Sequence, residues 1–139
     1  MGLDMYIYKA KKNDKGDRGE WKLGEELIYW RKANQIRKWI VDNLGYNEDA
    51  DCEFFPIDKD DFENLIFDIT KILECNKNER HVMAESIMPT SSGFFFGGTE
   101  YDEWYFKDLE YTKDEVQKVI DNWDELIRDG STIGYYEWW

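Results

Sequence analysis

Phe62, Leu65, Ile66, Ile69, Ile72 and Leu73 recur at three- and four-residue spacings in KDDFENLIFDITKILE. That spacing puts six apolar side chains on one stripe of a helix, and Asp58 stands where an N-cap is needed. A stripe this wide has to be covered by other elements. Two further segments carry the same period. RKANQIRKWIVDNLG aligns Ala33, Ile36, Trp39, Ile40 and Leu44 and closes at Gly45. KDEVQKVIDNWDELIRD aligns Val116, Val119, Ile120, Trp123 and Ile127 between a Thr112–Glu115 capping box and Gly130. NERHVMAESIM predicts a short helix ended by Pro89, which disfavours helical geometry at Met88.

The remaining apolar segments are rich in β-formers. LDMYIYKAKK, LIYW, CEFFPI, EWYFKDLEY and STIGYYEWW predict strands, and NDKGDRGEWKLGEE, with three glycines and no period, predicts a surface loop. No repeat or low-complexity linker interrupts the chain. The expected architecture is a single domain over residues 1–139 of α+β class, a small antiparallel sheet with three or four helices packed mainly on one face.

The chain holds 7 Trp, 9 Tyr and 8 Phe, more rings than a core of this size usually needs, so some are expected to face a ligand or partner. The net charge of −13 is unevenly spread: residues 1–40 carry 10 Lys/Arg against 6 Asp/Glu, and residues 41–139 carry 8 against 25. An acidic body repels phosphate backbones, which disfavours duplex nucleic acid but leaves room for a small anion in a local basic pocket. Cys52 and Cys75 stand far apart with no metal-binding spacing, which fits a reducing cytoplasm. No stretch approaches the ~18 apolar residues that span a membrane, and a soluble protein is expected.

Two constellations carry chemistry. Trp30, Arg31, Lys32 and Asn34 put two cations and an amide at the expected start of a helix, where free N–H groups favour anions. The alternative is an exposed helix start paired with nearby acids. The second lies in SSGFFFGGTEYDEWYF: Ser92, Gly93, Phe95, Gly97, Thr99, Tyr101, Asp102 and Trp104 combine hydroxyls, glycines that allow close approach, and rings that can stack on a base. Phe94, Phe95 and Phe96 cannot all point inward from one strand, so a recognition loop is expected over a purely buried hairpin. The glycine spacing matches neither a P-loop nor a dinucleotide fingerprint. Asp102 and Glu103, adjacent in a strand, would face opposite ways and make a poor acid/base pair, and Asp102 is expected to accept from turn amides or Arg31. His81 reads as a solvated residue and Asp4 as a structural carboxylate paired with Arg31 or backbone amides. No catalytic set, metal ligand or cofactor is indicated.

MGLDMY at the start, YWRKANQIRKW at 29–39 and PTSSGFFFGGTEYDEWY at 89–105 resemble, in the same order, a family of small proteins of unassigned activity found in tailed phages, prophages and bacteria. The resemblance covers nearly the whole chain. It departs from the family pattern at Arg37, where a histidine often stands, which weakens any reading that needs an imidazole there. What it implies is a phage or prophage origin and, for location, the cytoplasm of an infected or lysogenic host. The expected function is a non-enzymatic, counter-defence binding protein that sequesters a small anionic aromatic ligand such as a nucleotide-derived signal. The alternative is an acidic inhibitor whose helices at 58–75 and 112–129 imitate nucleic acid towards a host nuclease or defence complex. GYYEWW, ending the chain in four rings, is expected to dock in the sheet or in a homo-oligomer contact.

Overall fold

The computed structural model describes residues 2–12, 21–49, 53–93 and 97–139; Cys52 and Phe94 to Phe96 lie outside them. β1 (Asp4–Lys12) pairs with β2 (Trp21–Arg31) on one side and with β4 (Thr132–Trp138) on the other, and the two-residue β3 (Phe55–Pro56) borders β4. All pairings are antiparallel, in the order β2-β1-β4-β3. Alternation along the strands sends Met5, Ile7, Ile133 and Tyr135 to one face, joined there by Ile28 and Trp30 of β2, and all six are buried.

The helices cover that inner face. Ile36, Trp39 and Ile40 of α1 (Asn34–Leu44), Phe62, Leu65, Ile69 and Ile72 of α2 (Lys59–Leu73), and Leu109, Val116 and Val119 of α4 (Glu103–Asp121) form one core with the sheet. Full burial of each such side chain is worth ~1.5 to 3 kcal/mol relative to exposure, which is why the three-four spacings had to find a common partner. α3 (Arg80–Ile87) and α5 (Trp123–Leu126) are short connecting helices. The α+β class, the antiparallel sheet and the single core agree with the sequence pattern.

Five local expectations are corrected. EWYFKDLEY is the first half of α4, not a strand: Asp102 is the N-cap, its carboxylate accepting from the Tyr105 N–H at 3.1 Å. Thr112 is therefore helix interior and no cap, its Oγ1 donating to the Asp108 carbonyl at 2.6 Å. α1 begins at Asn34, so Arg31 closes β2 and Lys32 precedes the helix. WKLGEE belongs to β2, paired with β1 across bulges, whereas among the described residues of CEFFPI only Phe55–Pro56 form a strand, β3.

STIGYYEWW docks in the sheet, with β4 between β1 and β3. Glu137, wholly buried on the inner face, accepts from Arg37 Nε of α1 at 2.8 Å, from the Tyr135 hydroxyl at 2.8 Å and from Trp139 Nε1 at 2.7 Å. Arg37 also donates from Nη2 to the Glu48 carbonyl at 2.7 Å. Burial opposes the guanidinium charge, but the hydrogen bond and charge of Glu137 outweigh it and hold Arg37 above its ordinary range. Burial, followed by the negative charge of Glu137, pushes the Tyr135 hydroxyl well up.

Candidate functional site

The junction between β2 and α1 is built around Lys32, which sits in the left-handed region at φ 57° although it is not a glycine. Such a conformation costs about 1 to 2 kcal/mol and persists only where neighbours impose it. Here the Lys32 N–H donates to the Leu3 carbonyl at 2.7 Å and its carbonyl accepts from the Asn34 N–H at 2.9 Å. Gly97, at φ 82°, brings the 97–101 segment against Lys32 so closely that an added Cβ would lie 3.1 Å from the lysine Cβ.

Asn34 fixes that segment to the helix. Its buried amide donates from Nδ2 to the Gly98 carbonyl at 2.8 Å and accepts at Oδ1 from the Ser91 N–H at 2.9 Å, satisfying one backbone group on each side of residues 94–96. Thr90 completes the closure: its Oγ1 donates to the Thr99 carbonyl at 2.9 Å and its N–H to the Tyr101 hydroxyl at 3.2 Å. Gln35, also buried, donates to the Tyr105 carbonyl at 3.3 Å. On the α4 side, Trp30 Nε1 donates to Thr112 Oγ1 at 2.7 Å inside the core and locks the sheet to the helix.

These links leave a cleft of ≈ 350 Å³ between the β2–α1 junction and the start of α4. Arg31, Lys32, Asn34, Gly97, Asp102 and Trp104, all expected at the site, line it. Trp104 is 71% exposed on the first turn of α4, with the Lys107 ammonium 4.9 Å from its ring centre. The other expected residues stand elsewhere. Trp30 is a core residue. Tyr101 packs its ring against His81 at 4.9 Å and Tyr105 at 5.0 Å. Ser92, Gly93 and Thr99 are exposed on the neighbouring segment without lining the cleft, and Phe95 lies outside the described residues. Asp4 accepts from the Tyr29 hydroxyl at 2.6 Å on the opposite face of the sheet.

The cleft also contains residues that the sequence reading did not name, among them Gln35, Glu100 and Asp108. A helical reading of EWYFKDLEY would have found Asp108, because positions 104 and 108 share a face at i, i+4. Asp108 is half-buried. Its burial and the charge of Asp102 raise its carboxyl above the ordinary 3.8, opposed by a hydrogen bond from Gln35. A carboxylate whose folded value is raised contributes stability below its unfolded value, and that contribution is lost as pH rises through the folded value. Asp108→Asn is therefore expected to melt at a higher temperature than the parent at pH 7, with the difference shrinking towards pH 4. A difference that is constant across that range would contradict the assignment.

Chemically the cleft sets two cations against a flat indole, with carboxylates and an amide on the remaining wall. Among the described residues, no group of three or more His, Cys, Asp or Glu is arranged to hold a metal ion, and no helix is long and apolar enough to cross a membrane. Comparison with protein-family models, with curated proteins and with solved structures finds no match to the chain.

Proposed function

We propose that the protein is a non-enzymatic binding protein that sequesters a small anionic aromatic ligand, a nucleotide or nucleotide-derived signal, in the cleft between β2, α1 and α4. The observation that carries this reading is the presence of Arg31, Lys32 and the exposed Trp104 ring in one concavity. A phosphate pairs with the two cations, a base stacks on the indole, and Asp108 and Gln35 offer an acceptor and an amide to the polar edge of the base. The strained backbone at Lys32 supports the same reading, since strain of this kind concentrates at ligand clamps. The resemblance to phage and prophage proteins supports a counter-defence role in the host cytoplasm.

The acidic-inhibitor reading is weaker. Along α2 and α4 the carboxylates are interleaved with Lys59, Lys71, Lys107, Lys113 and Lys118, two of which form ion pairs along α4 with Glu103 and Glu115. An unbroken row of negative charge, as a phosphate backbone presents, does not form there.

Titration with mono-, di- and cyclic nucleotides tests the proposal through tryptophan emission and melting temperature. The expected result is quenching together with a rise in melting temperature, because a ligand bound to the folded state stabilises it by mass action. Trp104→Ala is expected to remove ~1 to 3 kcal/mol of binding, and Arg31→Ala to weaken it with little change in melting temperature, since an exposed charge contributes little to the fold. Emission and melting temperature that stay unmoved by every nucleotide would overturn the proposal.

A further inference from the structure

The face of the sheet turned away from the helices carries an array of tyrosines. Tyr29, Tyr6 and Tyr136 stand directly across from one another on β2, β1 and β4. Tyr8 lies two residues further along β1, opposite Glu26 on one side and Gly134 on the other. The rings touch: 5.3 Å separates the centroids of Tyr6 and Tyr8, 5.3 Å those of Tyr6 and Tyr29, 6.3 Å those of Tyr6 and Tyr136, and 6.0 Å those of Tyr8 and Tyr136. Tyr29 is 38% exposed and Trp138, on the same face, 58%. Four rings held side by side on one sheet face exceed what solubility needs.

The charges around the rings are mainly negative. Asp4 and Glu26 flank the row at its two ends along the strands, and Arg31 sits opposite Asp4 at the β2 edge. Partial burial, then the carboxylates of Asp4 and Glu26, push the Tyr6 hydroxyl up, and Tyr8 beside Glu26 shifts the same way. Ring faces are the negative pole of the aromatic quadrupole, so faces and carboxylates attract the same sign of partner. A phosphate backbone would meet Asp4, Glu26 and a chain of net charge −13.

We propose that this face docks an arginine-bearing segment of a partner protein. Guanidinium planes stack on Tyr6, Tyr8 and Tyr136 and pair with Glu26 and Asp4. Arginine suits the site better than lysine because its planar group stacks while donating to a carboxylate. Tyr6 and Tyr8 are two residues apart on one strand with ring centroids 5.3 Å apart, close to the ~6.6 Å between alternate side chains of an extended peptide, so arginines at i and i+2 reach successive rings. The site is on the face opposite the core and does not share residues with the Trp104 cleft except for the edge residue Arg31.

The test is a titration of the isotopically labelled protein with an octapeptide of alternating glycine and arginine, followed by amide and aromatic chemical shifts and by fluorescence anisotropy of the labelled peptide. Saturable shifts confined to Tyr6, Tyr8, Glu26, Tyr29 and Tyr136 are expected. Tyr6→Ala combined with Tyr136→Ala should weaken binding about tenfold or more. Glu26→Arg, a change at an exposed position that leaves the fold intact, should abolish it. The glycine–lysine peptide should bind several-fold more weakly, and Trp104→Ala should leave binding unchanged. Shifts spread over α2 and α4, equal binding of the lysine peptide, preferential binding of a dT oligonucleotide to the same rings, or a dimer lost on Tyr136→Ala would each overturn the proposal.

Discussion

Glu137→Ala is expected to lower stability by ~3 to 5 kcal/mol, a large share of the ~5 to 15 kcal/mol that holds a typical domain folded. The carboxylate is wholly inaccessible and is the common acceptor for Arg37, Tyr135 and Trp139. Removing it takes the paired carboxylate from the buried Arg37 guanidinium and an acceptor from the Tyr135 and Trp139 donors. Urea unfolding monitored by far-UV circular dichroism measures the loss. Arg37→Met combined with Glu137→Leu should recover part of it, because an apolar pair of similar volume takes both buried charges out together. A single Glu137→Ala variant within ~1 kcal/mol of the parent would show that the ion pair does not hold α1 to β4. Deleting residues 135–139 removes Tyr135 as well as Glu137 from an interior strand, and the chain is then expected to lose cooperative unfolding altogether.

Gly134→Ala is expected to be nearly as damaging, for a steric reason. Gly134 lies opposite Tyr8 on β1 and Pro56 on β3, where backbone approaches backbone. An added Cβ would press on the carbonyl oxygen of Phe55 and lie 2.6 Å from the Phe54 ring. The ring can swing away, but the carbonyl belongs to the ladder, so β3 has to withdraw from β4. Overpacking of this kind costs ~1 to 3 kcal/mol, and the bond from the Ile57 N–H to the Ile133 carbonyl, 2.9 Å, is strained with it. Adding Phe54→Ala should fail to restore the melting temperature, since the Phe55 carbonyl still blocks the methyl. Restoration by that second change would assign the cost to the ring instead.

Long amphipathic stretches were legible because their period survives any tertiary arrangement. α2 spans Lys59–Leu73 behind Asp58, as its apolar stripe and N-cap predict, and β1 and β4 follow their alternation. α4 was legible too, but masked. Tyr105, Leu109, Thr112, Val116 and Val119 are spaced by four, three, four and three, and all are buried, so a helical stripe runs unbroken through the segment read as a strand. Dense aromatic residues gave that segment a high local β propensity, which packing against α2 and the sheet overrode.

At the cleft, the sequence by itself supplied the ingredients: adjacent cations at Arg31 and Lys32, a carboxylate at Asp102, and Trp104 near it in the chain. It also determined the elements whose periods are strong enough to fix a face, and hence the α+β class. Only the tertiary structure decided which ingredients meet. Trp104 and Arg31 come to line one cleft because three links tie β2 and α1 to α4 and its leading segment: Trp30 to Thr112, Gln35 to Tyr105, and Asn34 to Gly98. The partner of Arg37 is likewise 100 positions away, at Glu137. Local propensity and periodicity depend on neighbours within one or two turns of the chain. The pairing of buried polar groups depends on which distant backbone and side-chain atoms the packed core leaves without water, and that is settled only when the core closes.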